Sequence, residues 1–347
     1  RSLSATELVR ARVLQWSILK EIIRNYMNIL ITSAGQRVSL VRAFQKELKK
    51  INPDGKVYTV DLNPVLAPAC YVSDGYKQVS RASDINYIEE LLDICSEWNI
   101  KMIIPTIDTE LLVLAENIDR FKDKGIYPII SSSEFISICR DKRKINDFFS
   151  DREISIPEPI DKHNPVFPLF IKPYDGSRSI DTFKITSKDD LLPYHYENKK
   201  LMFMEYIDPK DYDEYTVDTY YNKVGKLCCA VPRKRIYIRT GEINKGATKK
   251  NAIIEEFKQK LSHIEGAVGC LTTQVFFNRN TNRVIGIEIN PRFGGGFPLS
   301  YLAGANFPNW LIREYFLNQQ INYFDNWEEN LLMLRYDDEI LVRNYNE

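Results

Sequence analysis

The chain has 347 residues, more than one hydrophobic core usually serves, so two or three lobes are expected. A hydrophobic fraction of 44% and a charged fraction of 27% fit a soluble globular protein, and 47 basic against 47 acidic residues leave no formal net charge. That balance argues against a protein built mainly to hold nucleic acid or an anionic membrane, and no apolar run reaches the ~18–20 residues that span a bilayer.

Residues 1–26 stand apart. Leu8, Leu14, Ile18, Leu19, Ile22 and Ile23 could line an amphipathic helix, yet the segment reads as an upstream extension ahead of an α/β domain that begins near Met27. It is expected to be dispensable. From there short apolar strands alternate with amphipathic helices: strands at 28–32, 56–61, 101–105 and 126–130, helices at 39–50, 85–98 and 110–121. The alternation predicts a doubly wound parallel sheet. Asp61 ends the second strand, where a dinucleotide fold places its ribose ligand, but the G-x-G-x-x-G fingerprint is missing, which argues against NAD.

After about residue 140 the pattern becomes antiparallel. Strands are expected at 167–172, 182–185, 201–207, 214–221 and 226–238, with a polar turn at 174–181 and a short helix at 188–192. A helix follows at 252–264, then a hairpin of 272–277 with 283–289, a glycine-rich loop and a closing helix at 308–317. Six cysteines form no C-x-x-C pair, and several sit in apolar runs, so reduced thiols and a cytoplasmic protein are expected. Three scattered histidines offer neither a zinc site nor a Ser-His-Asp triad, leaving catalysis to Lys, Arg, Asp, Glu and Asn.

Four groups of residues could carry that chemistry. Period two puts Glu288 and Asn290 on one strand face, away from Ile287 and Ile289, and Gln274 lies on the partner strand. Together they make an oxygen-rich patch suited to Mg²⁺, with an ordinary solvent-facing sheet as the alternative. Lys172 ends an apolar strand and precedes a polar turn whose backbone N–H groups and Ser177 and Ser179 hydroxyls could drape over phosphates. Lys142 is either a phosphate contact or part of a solvated helix face. Glu205 and Glu214 each lie at the end of a strand, where an acid hints at a polar ligand or simply reaches solvent. Arg292 follows the metal-type residues, and Arg233, Arg235, Arg239 and Lys245 could face an anionic substrate.

In this order the residues resemble the ATP-grasp superfamily, in particular its carbamoyl-phosphate-synthase-like branch, over about residues 27–320. The strongest element is Gln274 followed by Glu288-Ile-Asn290-Pro-Arg292. The resemblance implies that Gln274, Glu288 and Asn290 hold one or two Mg²⁺ ions, with Mn²⁺ as a substitute, on the phosphates of ATP. It implies that Arg292 stabilises the transferring phosphoryl group, that Lys142 and Lys172 bind nucleotide, that Glu205-Tyr206-Ile207 is the adenine hinge and that Glu214 meets the ribose. Arg239-Thr-Gly stands where the synthases carry a histidine before Thr-Gly, which suits a carboxylate larger than bicarbonate and gives Arg239 a catalytic part. The phosphate turn is poorer in glycine than in carboxylases, and it is expected to act as a lid that orders on nucleotide.

The implied architecture is an extension (1–26), a Rossmann-like domain (27–135), a small ATP-grasp lobe (136–207) and a large lobe bearing the metal site (208–347). The implied activity is a stand-alone ligase that activates a carboxylate as an acyl phosphate, releases ADP and passes the acyl group to an amine. Its partners would be small molecules, with neither nucleic acid nor membrane, and a homodimer is an allowed assembly. The rivals are a carboxylase or carbamate-forming enzyme on the same fold and a non-catalytic nucleotide-binding subunit.

Overall fold

A computed structural model describes residues 27–176, 180–239 and 241–345. The 1–26 segment, Ser177, Arg178, Ser179 and Thr240 lie outside them. The described chain divides into two compact units. One takes in the residues up to Ile129 with Pro308–Gln319 and the stretch from Val342; the other comprises Ile130–Phe307 and Gln320–Leu341.

The first unit is built on a parallel sheet of β1 (Asn28–Ile31), β2 (Val57–Asp61), β3 (Tyr76–Gln78), β4 (Ile100–Ile104) and β5 (Tyr127–Pro128), in the order β3-β2-β1-β4-β5. Its strands are apolar runs because helices cover both faces of such a sheet. Helix Val38–Ile51 buries Leu40, Val41, Phe44 and Leu48 at three- and four-residue spacing, and helix Tyr87–Glu97 buries Ile88, Leu91, Leu92 and Cys95. The single helix expected at 110–121 is instead Asp108–Glu116 and Ile118–Lys122. The break falls at Asn117, whose side-chain amide donates to the Val113 carbonyl at 2.9 Å and so competes with the backbone ladder. β3 was not anticipated: three residues, mostly exposed, carry no alternation to read. Asp61 accepts the Gly35 and Asn63 N–H groups, both at 2.9 Å, so its carboxylate shapes the first turn.

The second unit holds two antiparallel sheets. A three-stranded sheet runs β7-β6-β8, from β6 (Leu169–Pro173), β7 (Phe183–Ile185) and β8 (Leu201–Glu205). A six-stranded sheet runs β13-β12-β9-β10-β11-β14, from β9 (Tyr212–Tyr221), β10 (Leu227–Arg239), β11 (Glu242–Thr248), β12 (Gly269–Asn278), β13 (Val284–Asn290) and β14 (Leu332–Leu334). One face of the large sheet is the core: Tyr215, Val217, Leu271, Val275 and Ile289 pack with Ile145, Phe148 and Phe149 of helix Lys142–Ser150 and with Ile253 and Phe257 of helix Ala252–Lys260. A parallel α/β sheet followed by antiparallel sheets is the mixed architecture expected from the sequence.

Further elements went unread, among them the helices Ser133–Arg140 and Lys142–Ser150, helix Phe297–Leu302 behind the glycine loop, β11 and β14. β11 is Glu-Ile-Asn-Lys-Gly-Ala-Thr, with little β-propensity; its pairing with β10 on one side and β14 on the other makes it a strand. The helix read as 252–264 stops at Lys260, after which the Ser262 carbonyl takes the Leu227 N–H at 2.8 Å.

Candidate active site

The register of the large sheet gathers the polar residues. Gln274 lies opposite Glu288 on one side and Thr216 on the other, and Thr216 lies opposite Arg233. One row over, Thr272 lies opposite Asn290 and Asp218. Residues paired across strands project to the same face, and the odd neighbours Tyr215, Val217, Val275 and Ile289 fill the core, so these rows line the other side. The Asn290 side-chain amide donates to Glu288 Oε1 at 3.1 Å.

A bulge sets this facing. The register slips between Gln274 and Val275, so that Val275 pairs with Gly286 and Ile287 is the extra residue of β13. Before the slip Val284 and Gly286 turn to the core; after it Ile289 does. Gly286 is required there, because a Cβ would come within 2.6 Å of the Phe149 ring. Strict alternation with Ile287 and Ile289 is therefore not what turns Glu288 outward; the extra residue is.

Two lysines meet this face. Lys142 opens its helix, and Asp141 caps that helix by accepting the Arg143 N–H at 2.9 Å. Its Nζ lies 3.8 Å from Glu288 Oε2 and donates to the Gly176 carbonyl at 2.5 Å. Lys172 of β6 is half-buried, and burial, with the Lys142 charge adding to it, pushes its pKa down to about 8 against the pull of Glu288. Two cations held close beside the Glu288 carboxylate favour an anion there. Glu214 is held above the ordinary carboxylate range by burial, with Glu288 adding to it, while Arg235 opposes the shift from 3.1 Å.

The remaining expected residues are placed as follows. Glu205 ends β8, where its N–H donates to the Glu158 carbonyl at 2.8 Å and its carboxylate accepts the Glu158 N–H at 3.3 Å. The Tyr206 ring lies under Lys184 at 4.1 Å, and Ile207 is buried. Arg292 follows β13, its backbone carbonyl accepting from Thr272 Oγ1 at 3.0 Å. Arg239 stands apart: it is 56% exposed and bound to both Asp337 carboxylate oxygens at 2.9 Å. The arginine that the geometry brings to Glu214 and Thr216 is Arg235, whose Nη1 donates to Thr216 Oγ1 at 3.1 Å. Thr216 and Asp218 were the signal missed, although 214, 216 and 218 alternate as plainly as 288 and 290; Arg235 was expected to face an anionic substrate, and here it pairs with Glu214. Ser177 and Ser179 lie outside the described residues.

A hard divalent cation fits only part of the donor set. Among the described residues no three His, Cys, Asp or Glu side chains gather to hold a metal. Glu288 is one carboxylate among the amides of Gln274 and Asn290, and such a set suits Mg²⁺ only when phosphate oxygens complete the shell. The paired lysines fit those phosphates. No helix of the described chain is long and apolar enough to cross a membrane, and all six cysteines are free, five of them buried.

Comparison with known proteins bears on the family and the fold. The model of a PylC-like N-terminal domain matches residues 29–130, and that of an ATP-grasp in the biosynthetic pathway with Ter operon matches residues 197–337. Over residues 197–337 the chain is thus matched to the ATP-grasp superfamily. A search of curated proteins finds no match. The structure is similar to N5-carboxyaminoimidazole synthetase from Staphylococcus aureus (16% identity, 89% of this chain and 82% of that one, TM-score 0.66). It is similar to the biotin carboxylase domain of 2-oxoglutarate carboxylase from Hydrogenobacter thermophilus, solved with MgADP, ADP and bicarbonate (13%, 88% and 73%, 0.65). It is also similar to L-amino acid ligase from Bacillus licheniformis (14%, 84% and 74%, 0.62). The chain spans 27% of the length of the pyruvate carboxylase from Rhizobium etli that it also matches. At such identities these are likenesses of fold.

Proposed function

We propose that this protein is an ATP-dependent carboxylate–amine ligase, with ATP bound over the polar face of the large sheet. The observation that carries the reading is the convergence of Lys142 and Lys172 on Glu288, with Gln274 and Asn290 beside it. Nucleotide binding alone would not need an amide–carboxylate–amide set next to two cations. The proposal keeps the division into a Rossmann-like domain, a small lobe and a large lobe at 27–135, 136–207 and 208–347.

Glu288, Gln274 and Asn290 would hold Mg²⁺, which supplies charge neutralisation on the phosphates. Lys142 and Lys172 bind phosphate oxygens, and bound phosphate in turn keeps Lys172 protonated. Glu214 receives the ribose, and Tyr206 and Ile207 border the base. Arg292 meets the transferring phosphoryl group and the acyl phosphate it forms. One oxygen of the substrate carboxylate attacks the γ-phosphorus, forming a P–O bond as the bond to the leaving ADP breaks. The amine nitrogen then attacks the acyl carbon, inorganic phosphate departs and the nitrogen loses a proton. Little covalent work falls to the protein in the first step, so positioning and charge placement supply the catalysis. Arg235, at Glu214 and Thr216, holds the ribose-binding acid in place, whereas Arg239 is engaged by Asp337 at the surface and takes no part in this scheme. The substrates are small molecules, the compartment is cytoplasmic, and a homodimer is compatible with the reading.

The test is a screen of ADP release with amino acids, short peptides and sugar acids offered as carboxylate and amine. Turnover should require both. ADP release on bicarbonate without an amine would reassign the enzyme to carbamate formation. Tight MgATP binding with no turnover on any pair would mark a nucleotide-binding subunit.

A further inference from the structure

A charge pair that the scheme above leaves unused lies behind the turn that carries Arg292. Arg233 and Asp218 have side chains only 1% and 0% exposed. Arg233 grips Asp218 with both ends of its fork, Nε to Oδ2 at 2.7 Å and Nη2 to Oδ1 at 2.9 Å. Ser300 Oγ, from helix Phe297–Leu302, donates to Asp218 Oδ2 at 2.6 Å. Thr272 Oγ1 lies 3.5 Å from Asp218 Oδ1 and 3.0 Å from the Arg292 carbonyl that accepts its proton. The three glycines after Phe293 rest directly on this assembly. A Cβ on Gly294 would come 3.0 Å from Thr272, one on Gly295 2.0 Å from Glu242, and one on Gly296 2.2 Å from Arg233 Nη1. That Nη1 is buried and has no hydrogen-bond partner.

An ion pair this deep is a poor source of stability, because apolar residues of similar volume often do as well. What the fork supplies instead is fixed geometry on three sides: β9 and β10 through the pair itself, helix Phe297–Leu302 through Ser300, and the turn through Gly296. Phe293, edge to face with Phe297 at a centroid distance of 4.7 Å, ties the turn to the same helix. The backbone that carries Arg292 is thus held at both ends, and the half-buried Arg292 side chain is itself tied to the turn, its Nη1 lying 3.5 Å from the Phe293 carbonyl.

We infer that Asp218 and Arg233 are positioning residues, which hold the turn from Asn290 to Gly296 and through it aim the Arg292 guanidinium at the transferring phosphoryl group. This rests on the ligase reading for the role of Arg292, but not for the anchoring of the turn. The decisive variant replaces the pair at similar volume, Asp218→Leu with Arg233→Met; Arg233→Lys, which keeps the charge and loses the fork, is its companion should the double variant fail to fold. Hydrogen exchange at 291–296 is read first and needs no substrate. It should quicken in either variant while β1, β2 and β4 stay unchanged, and unchanged exchange at 291–296 would overturn the inference.

The second reading is ATP formation from MgADP and acetyl phosphate, in which the phosphoryl group leaves acetate for the ADP β-phosphate. The pair variant should lower kcat about tenfold with the MgADP Kd unaltered, and should cause no more than about a twofold further loss on an Arg292→Ala background. Equal losses on both backgrounds mean a general structural role and sink the positioning claim. A wild-type protein inert in this assay counts against the ligase reading, and the exchange result then decides the inference by itself.

Discussion

Lys172 gives the site its pH dependence. Its pKa is pushed to about 8 by burial and by Lys142, against about 10.5 in an unfolded chain. Between those values the unfolded chain binds a proton that the folded chain does not, so the stability of the nucleotide-free protein should rise with pH from 8 to about 10.5. Lys172→Met should therefore stabilise the empty protein at pH 7, by about 1 kcal/mol once partial exposure is allowed for, with the gain shrinking above pH 8. Nucleotide affinity should move the other way, weakening several-fold above pH 8 in the wild type and staying flat in Lys172→Met. Calorimetry from pH 7 to 9.5 checks both, and a wild-type affinity flat over that range would place the phosphates away from Lys172. Glu288→Gln should abolish turnover with little change in melting temperature, since the carboxylate lies on the polar face beside a lysine 3.8 Å away; a collapsed melting temperature with unchanged activity of the folded fraction would make the residue structural. At this scale the juxtaposition of Gln274, Glu288 and Asn290 was legible because polar residues interrupt apolar ones, although the extra residue Ile287 and not strict alternation sets their facing. It was read poorly at Arg233 and Arg235, because alternating charges on a strand look the same whether they meet solvent or a partner such as Asp218 or Glu214.

The bulge in β13 links the metal-type residues to the first lysine. Ile287 shifts the facing of everything after it, and Gly286 admits the Phe149 ring from the same helix that begins with Lys142. A methyl group at residue 286 must displace that ring, and overpacking of this kind costs about 1–3 kcal/mol. Gly286→Ala should thus lower stability by about that amount in urea denaturation. It should also weaken MgATP binding, because the displaced helix carries Lys142 with it. A variant as stable and as tight-binding as the wild type would show that Phe149 relaxes without moving its helix. No hydrophobic pattern announces a single extra residue in a strand; only the pairing of Val275 with Gly286 does. The same limit explains β11, whose glycine and lysine conceal a strand that its neighbours create, and the split at Asn117, where one side-chain amide ends a helix that periodicity would continue. The long regular elements were legible because their apolar spacing survives without tertiary help, as in helix Val38–Ile51 and the β12–β13 hairpin.

The molecule has two units with their own cores, one around Leu30, Leu91 and Ile103 and another around Val217, Phe257 and Val275, and every residue assigned to ATP lies in the second. A ligand that binds only folded protein stabilises it by mass action, by about 2.7 kcal/mol at a hundredfold excess over Kd. If the two cores open separately, that gain belongs to the unit that holds the ligand. With saturating magnesium and a non-hydrolysable ATP analogue, slow amides of β9, β12, β13 and β6 should gain protection by about this amount. Those of β1, β2 and β4 should gain much less. NAD should change neither, because Asp61 is committed to the Gly35 and Asn63 N–H groups and the dinucleotide fingerprint is absent. Peptide-resolved hydrogen exchange with the analogue, with NAD and with neither reads all three cases in one experiment. Equal gains in both sets would mean that the units open as one and that coupling carries the nucleotide's stabilisation across the whole chain. Protection confined to β1, β2 and β4 would put the nucleotide on the parallel sheet, and the assignment of Lys142, Lys172 and Glu288 would fall with it.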